Sequence, residues 1–179
     1  AVKEIAFSEI IQNREYNANI DNKEKDKSER FNSVIDFPNF LLQVLRVNNT
    51  AEISLDDERL IDTFTVATKE LNITPSDFIM QLLKCRMLFD RYIIKRDNNE
   101  NEKWCLLSLV PGDSGFSYPN SVGKEEEDKI NSQLIMILSM FHVSYPTMTY
   151  KNWLSGALKL LLELAPTDEI NVTGEKYLE

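Results

Sequence analysis

The sequence predicts an all-α body, about five helices in an irregular bundle with at most one short β-hairpin, from three observations. Apolar residues recur at three- and four-residue spacing in separate segments. Capping side chains and prolines open several of those segments. Three of the five glycines fall within residues 111–123, which read as a loop. A chain of 179 residues suits one domain, or one domain with a small appendage, and buries a core without staples. The division read from composition is a charged connector over 1–30, a helical domain over 31–166 and a tail over 167–179.

In chain order, residues 21–30 mix four positive and four negative charges with no apolar residue, the mark of a solvated connector. Asp36 then caps a helix over 37–47, with Pro38 in its first turn and Phe37, Phe40, Leu41, Val44 and Leu45 along one stripe. Asn48 and Asn49 end it. Ser54 with Asp57 resembles a capping box before Leu60, Ile61, Phe64 and Ala67. Thr74-Pro75 opens a long helix through Phe78, Ile79, Leu82, Leu83, Leu88, Phe89, Tyr92 and Ile93, reaching Lys95. After a polar turn, the segment 104–109 is either a strand paired with 92–95 or a buried extended stretch against helices. The acidic run 125–128 suits the amino end of a helix carrying Ile130, Leu134, Ile135, Ile137, Leu138 and Phe141. A last helix runs from about Thr147 through Trp153, Leu154, Leu158 and Leu161, stopping before Pro166. The tail from Thr167 reads as weakly ordered.

Charge and composition exclude several functions. A net charge of -9, with 29 acidic against 20 basic groups, opposes indiscriminate binding to a polyanion. No apolar run approaches the roughly 20 residues a bilayer span requires, and Ala1-Val2-Lys3-Glu4 carries no secretory signal. Two cysteines, Cys85 and Cys105, read as free thiols in a reducing cytoplasm, with a Cys85–Cys105 disulfide as the alternative. The absence of an initiating Met and the closing pair Leu178-Glu179, a common start of a vector-encoded tag, predict a segment cut from a longer protein.

Catalytic inventory is thin. The single histidine, His142, lies beside Ser144 and Tyr145 without a glycine elbow or oxyanion loop. Carboxylates at 56–58 and 125–128 sit where helices begin and serve caps and dipoles. One His and two Cys supply no tetrahedral metal set, and Gly112 to Gly115 lacks the lysine of a phosphate loop. The reading is therefore no catalytic, cofactor or metal residue in this chain. The one basic stretch is 84–96, where Lys84, Arg91 and Lys95 at steps of seven and four would share one face of the long helix. They are candidate contacts with nucleic acid or an acidic partner domain, or else a solvated face suited to a helix C-terminus. Exposed aromatics such as Phe116, Tyr118 and Tyr145 support a second reading, a free-standing helical adaptor for another protein.

Three ordered blocks go beyond composition. Ser33-Val34-Ile35-Asp36-Phe37-Pro38-Asn39-Phe40-Leu41-Leu42-Gln43-Val44-Leu45-Arg46 resembles a segment of the helical portion of GmrSD-type bacterial defence proteins. Leu88-Phe89-Asp90-Arg91-Tyr92-Ile93-Ile94-Lys95-Arg96 with Trp104, and His142-Val143-Ser144-Tyr145-Pro146-Thr147 with Tyr150, Lys151, Trp153 and Leu154, resemble later blocks in the same order. In that family a ParB-like amino-terminal domain hydrolyses nucleotides and many members carry an HNH-like nuclease domain. Neither domain's motif occurs here. The resemblance implies a non-catalytic helical scaffold coupling those domains in a phage-defence or modification-dependent restriction protein, cytoplasmic, contacting its partner domains or, weakly, DNA.

Overall fold

The computed structural model describes residues 30–49, 53–99, 102–112, 115–123, 129–147, 151–165 and 174–179; the connector expected over 1–30, all but Arg30, and the acidic run 125–128 lie outside the described residues. Among the described residues the order is β1 (Phe31–Ser33), α1 (Phe37–Val47), α2 (Leu60–Glu70), α3 (Pro75–Tyr92), β2 (Lys95–Asp97), β3 (Lys103–Cys105), β4 (Val110–Gly112), β5 (Gly115–Ser117), α4 (Lys129–Ser144), α5 (Asn152–Leu164) and α6 (Gly174–Leu178).

The all-α expectation is overturned. β1, β2 and β3 form an antiparallel three-stranded sheet and β4 pairs with β5 in a separate hairpin, so the fold is mixed α and β. The long helix stops at Tyr92 because three consecutive residues, Tyr92, Ile93 and Ile94, are all buried, which a one-sided helical stripe does not permit. Ile93 adopts extended backbone at the helix end, and Lys95 pairs with Ser33 on one side and Cys105 on the other. That central strand draws its second partner from far upstream in the chain, which no local pattern announces. In the second hairpin, read from sequence as loop, Gly115 takes φ 143°, open to glycine and strained for other residues.

Local chemistry explains the helices. Asp36 accepts from the Asn39 N–H at 2.9 Å and Asn48 closes α1 by donating its backbone N–H to Val44, as the sequence predicts. The Ser54–Asp57 box does not form. Asp56 instead caps a short 3-10 turn, Asp57–Arg59, ahead of α2, and Ile61 points to solvent at 79% exposure. Thr74 caps α3 through its hydroxyl on the Asp77 N–H at 3.2 Å, with Pro75 first in the helix. Within the stretch expected as a tail, α6 packs on α4 and α5 and buries Tyr177, whose hydroxyl donates to the Tyr92 carbonyl at 3.2 Å.

The main core gathers α1, the second half of α3, α5 and the inner side of α4: Phe40, Val44, Cys85, Leu88, Phe89, Tyr92, Leu134, Leu138, Leu154, Leu158 and Leu161 are buried. A smaller cluster under α2 joins Leu45, Ile53 and Ala67. Polar groups also enter this interior. Asn39 and Gln43, four apart on α1, are buried, and so is Lys151 at the start of α5. Lys151 donates its ammonium to the Val34 carbonyl, Gln43 Nε2 donates to the Lys151 carbonyl at 3.1 Å, and Ser155 donates to Gln43 Oε1. Elsewhere, His142 near the end of α4 packs edge-on against Trp104 of β3 at 4.8 Å.

Candidate interaction surface

Helix α3 is apolar on two sides. Its inner stripe, Cys85, Leu88, Phe89 and Tyr92, is buried; its outer stripe, Ile79, Met80, Leu83 and Met87, is more than half exposed. On a helix these outer positions lie within one arc, because residues four and seven apart share a face. Thioether and aliphatic side chains there form an adaptable apolar strip. Isolated exposed hydrophobics need no explanation, but a run over more than two turns does.

The basic residues singled out from the sequence border this strip in part. Lys84 is exposed and Arg91 half-buried, seven apart along one edge of the strip. Arg91 also lies over the Tyr92 ring at 5.4 Å. Lys95 does not share the helix face, because the chain has already entered β2. Its ammonium donates to the Asp90 carbonyl at 2.8 Å and rests 5.2 Å from the Phe31 ring. Burial pulls its pKa below the usual lysine value, with the Asp90 charge pulling the other way. Other cations of the segment are engaged locally: Arg86 with Asp90 at 2.7 Å, and Arg96 with Glu102. Exposed pairs of this kind contribute little to stability, yet they reduce the positive field the segment offers to a polyanion.

The residues weighed for chemistry lie elsewhere. His142 is half-buried against Trp104, and its Nδ1 is sealed without a hydrogen-bond partner. Burial first and the Lys151 charge second push its pKa below the ordinary histidine value, so it is neutral near pH 7. Ser144 and Tyr145 are exposed past it. Lys151 is likewise held below the usual lysine range by burial, partly countered by Asp36. Neither cysteine is in a disulfide; burial pushes the Cys85 thiol up to about 11. Among the described residues no three His, Cys, Asp or Glu side chains converge on a metal-sized point. Of the aromatics proposed for an adaptor, Phe116 is 71% exposed, whereas Tyr118 is occupied by Phe31 at 5.0 Å and by Arg30.

Sequence reasoning missed the buried polar set of Asn39, Gln43 and Lys151. The signal was the pair of amides four apart inside an otherwise apolar helix. It also set Ile79 and Leu83 in one apolar series with the buried residues of the helix, because a periodic stripe does not say which of two apolar faces is covered. No helix among the described residues is long and apolar enough to cross a membrane. Comparison with protein-family models, curated proteins and solved structures returns no match.

Proposed function

We propose that this chain is a non-catalytic helical scaffold that docks a partner domain along the outer face of α3. The observation that carries the reading is the strip Ile79, Met80, Leu83 and Met87 with Lys84 and Arg91 on its edge. An apolar strip with a basic margin fits a helix or sheet face whose own margin is acidic. It suits a phosphate backbone poorly, since Arg86 and Arg96 are paired and Arg91 and Lys95 are partly buried. The GmrSD-type setting, with ParB-like and HNH-like domains as the partners, rests on the sequence resemblance. Neither cysteine is joined in a disulfide, which supports a cytoplasmic location.

The test is a full-length protein carrying Leu83→Glu and Met87→Glu, both at exposed positions. The expected result is a folded chain whose flanking domains cross-link to it far less and are cut faster by protease. Unchanged cross-linking overturns the docking reading. Nucleotide hydrolysis or DNA nicking by the isolated chain, lost on His142→Ala, overturns the non-catalytic part. Salt-sensitive DNA binding lost on Lys84→Glu with Arg91→Glu would move the face to nucleic acid.

A further inference from the structure

The outward residues of α3 step along the helix in a regular order. From Met80 they continue to Leu83, Met87 and Asp90, at intervals of three, four and three. Met80, Leu83 and Met87 are 56, 53 and 55% exposed, so no member of the row is recessed. At about 100° per residue, these three span only about 60° of the helix circumference. An apolar row repeating about every 3.5 residues is the seam along which a second helix lies, each side chain entering a hole between residues of its neighbour. Asp90 closes the apolar part, its carboxylate accepting from Arg86 at 2.7 Å.

The positions flanking such a seam select the partner by charge. Here both flanks carry cations. Lys84 and Arg91, seven apart, follow Leu83 and Asp90 along one edge, and Arg86 precedes Met87 on the other. The nearby acids are engaged locally: Asp90 partly neutralises Arg86, and Asp77 accepts from the Thr74 hydroxyl at 2.6 Å at the helix start. Screening over roughly 8 Å in physiological salt lets this margin, rather than the net charge of -9, set the field that a docked helix meets.

We propose that the row seats an amphipathic α-helix with Asp or Glu at its own flanking positions, an assignment that rests on the docking role of α3 and names the class of its partner. Charge excludes a second copy. Two α3 helices side by side set Lys84 against Arg86 when parallel and Lys84 against Arg91 when antiparallel, like charges in both cases. A phosphate backbone is disfavoured by Asp90, which stands in the row itself. Three apolar side chains make a contact well under the roughly 800 Å² per partner of a stable complex. An untethered helix accordingly binds with a dissociation constant of roughly 10–100 µM, and one tethered within the same protein gains occupancy from its effective concentration.

The probe is a dye-labelled synthetic helix of three heptads, with Leu at both seam positions and Glu at both flanking positions, titrated with the 179-residue chain by fluorescence anisotropy. Its twin carries Lys at the flanking positions. The acidic helix binds, the basic one does not, and added salt weakens the complex. Leu83→Glu abolishes binding. Lys84→Glu with Arg91→Glu weakens the acidic helix at least tenfold and transfers preference to the basic one, and Lys84→Glu alone, at a fully exposed site, falls between. Equal binding of the two helices, no binding of the acidic one, or its displacement by duplex DNA overturns the proposal. So does a chain mass that doubles with concentration and returns to 20.7 kDa on Leu83→Glu, which assigns the row to a second copy. In the full-length protein, cross-linking of the flanking domains lost on Leu83→Glu with Met87→Glu but kept on Lys84→Glu with Arg91→Glu overturns the acidic helix alone. Cross-linking kept in both overturns the docking role as well.

Discussion

Gln43→Leu isolates the energetics of the polar link between α1 and α5. Gln43 is 1% exposed, and its amide spans two groups of the other helix: Nε2 donates to the Lys151 carbonyl at 3.1 Å and Oε1 accepts from Ser155. Leucine preserves the volume and removes both bonds. The Lys151 oxygen is not orphaned, because the Leu154 N–H also donates to it at 3.1 Å. The loss there is consequently the ordinary net value of about 1 kcal/mol rather than a full desolvation penalty. Ser155 loses a similar amount, giving about 2 kcal/mol in all, or a fall in Tm of roughly 4–8 °C for a chain of this size. Gln43→Ala removes one methylene as well and costs about 0.8 kcal/mol more. Urea unfolding at one fixed protein concentration reads these values, and a cycle with Ser155→Ala returns a coupling of about 1 kcal/mol. Gln43→Leu within 0.5 kcal/mol of the parent, roughly the additivity error, refutes the argument.

Titration of the buried groups gives further outcomes. His142 is held below its unfolded pKa of 6.5, so its neutral form is the stable one in the fold; stability is intact above that value and is lost as pH falls through and below it. Urea midpoints of the parent fall more steeply in that window than those of His142→Phe. Cys85 runs the other way: its thiol stays protonated up to about 11 against 9.0 when unfolded, so stability is complete below 9.0 and lost between the two values. The shift corresponds to about 3 kcal/mol, read as the difference between the parent and Cys85→Ala, since Lys95 and Lys151, both held below 10.5, gain stability as pH rises toward it. Under native conditions a thiol reagent modifies Cys105 and leaves Cys85 untouched until the chain unfolds. Gly156→Ala raises the stability of the isolated chain by about 0.5–1 kcal/mol through helix propensity, measured by the same unfolding curve.

Helix existence was legible because it depends on neighbours. The cap at Asp36, the Thr74-Pro75 start and the stripe over 37–47 are local signals, and α1 has the bounds the sequence predicts. The sheet was not legible. β1, β2 and β3 are three residues each, half-exposed, and joined by pairings such as Phe31 with Asp97 that leave no trace in any window of sequence. The candidate surface was legible only by half: Lys84 and Arg91 were found from charge, whereas Ile79 and Leu83 stood in one apolar series with the buried residues and Met87 was not singled out until the packing showed which side of α3 stays open. Lys95 was misplaced by the helix end alone, a shift of three residues that carries it from a helix face to a strand.

The Gln43–Lys151 link also sets a clock for the making of the chain, for 108 positions separate its ends. At roughly 5–20 residues per second of translation, α1 waits on the order of 5–20 s for the segment that completes its cover. During that interval α1 lacks its α5 partner, while Leu45 already has Ile53 and Ala67 to pack against. A circular permutant that brings α5 ahead of α1 would shorten that wait.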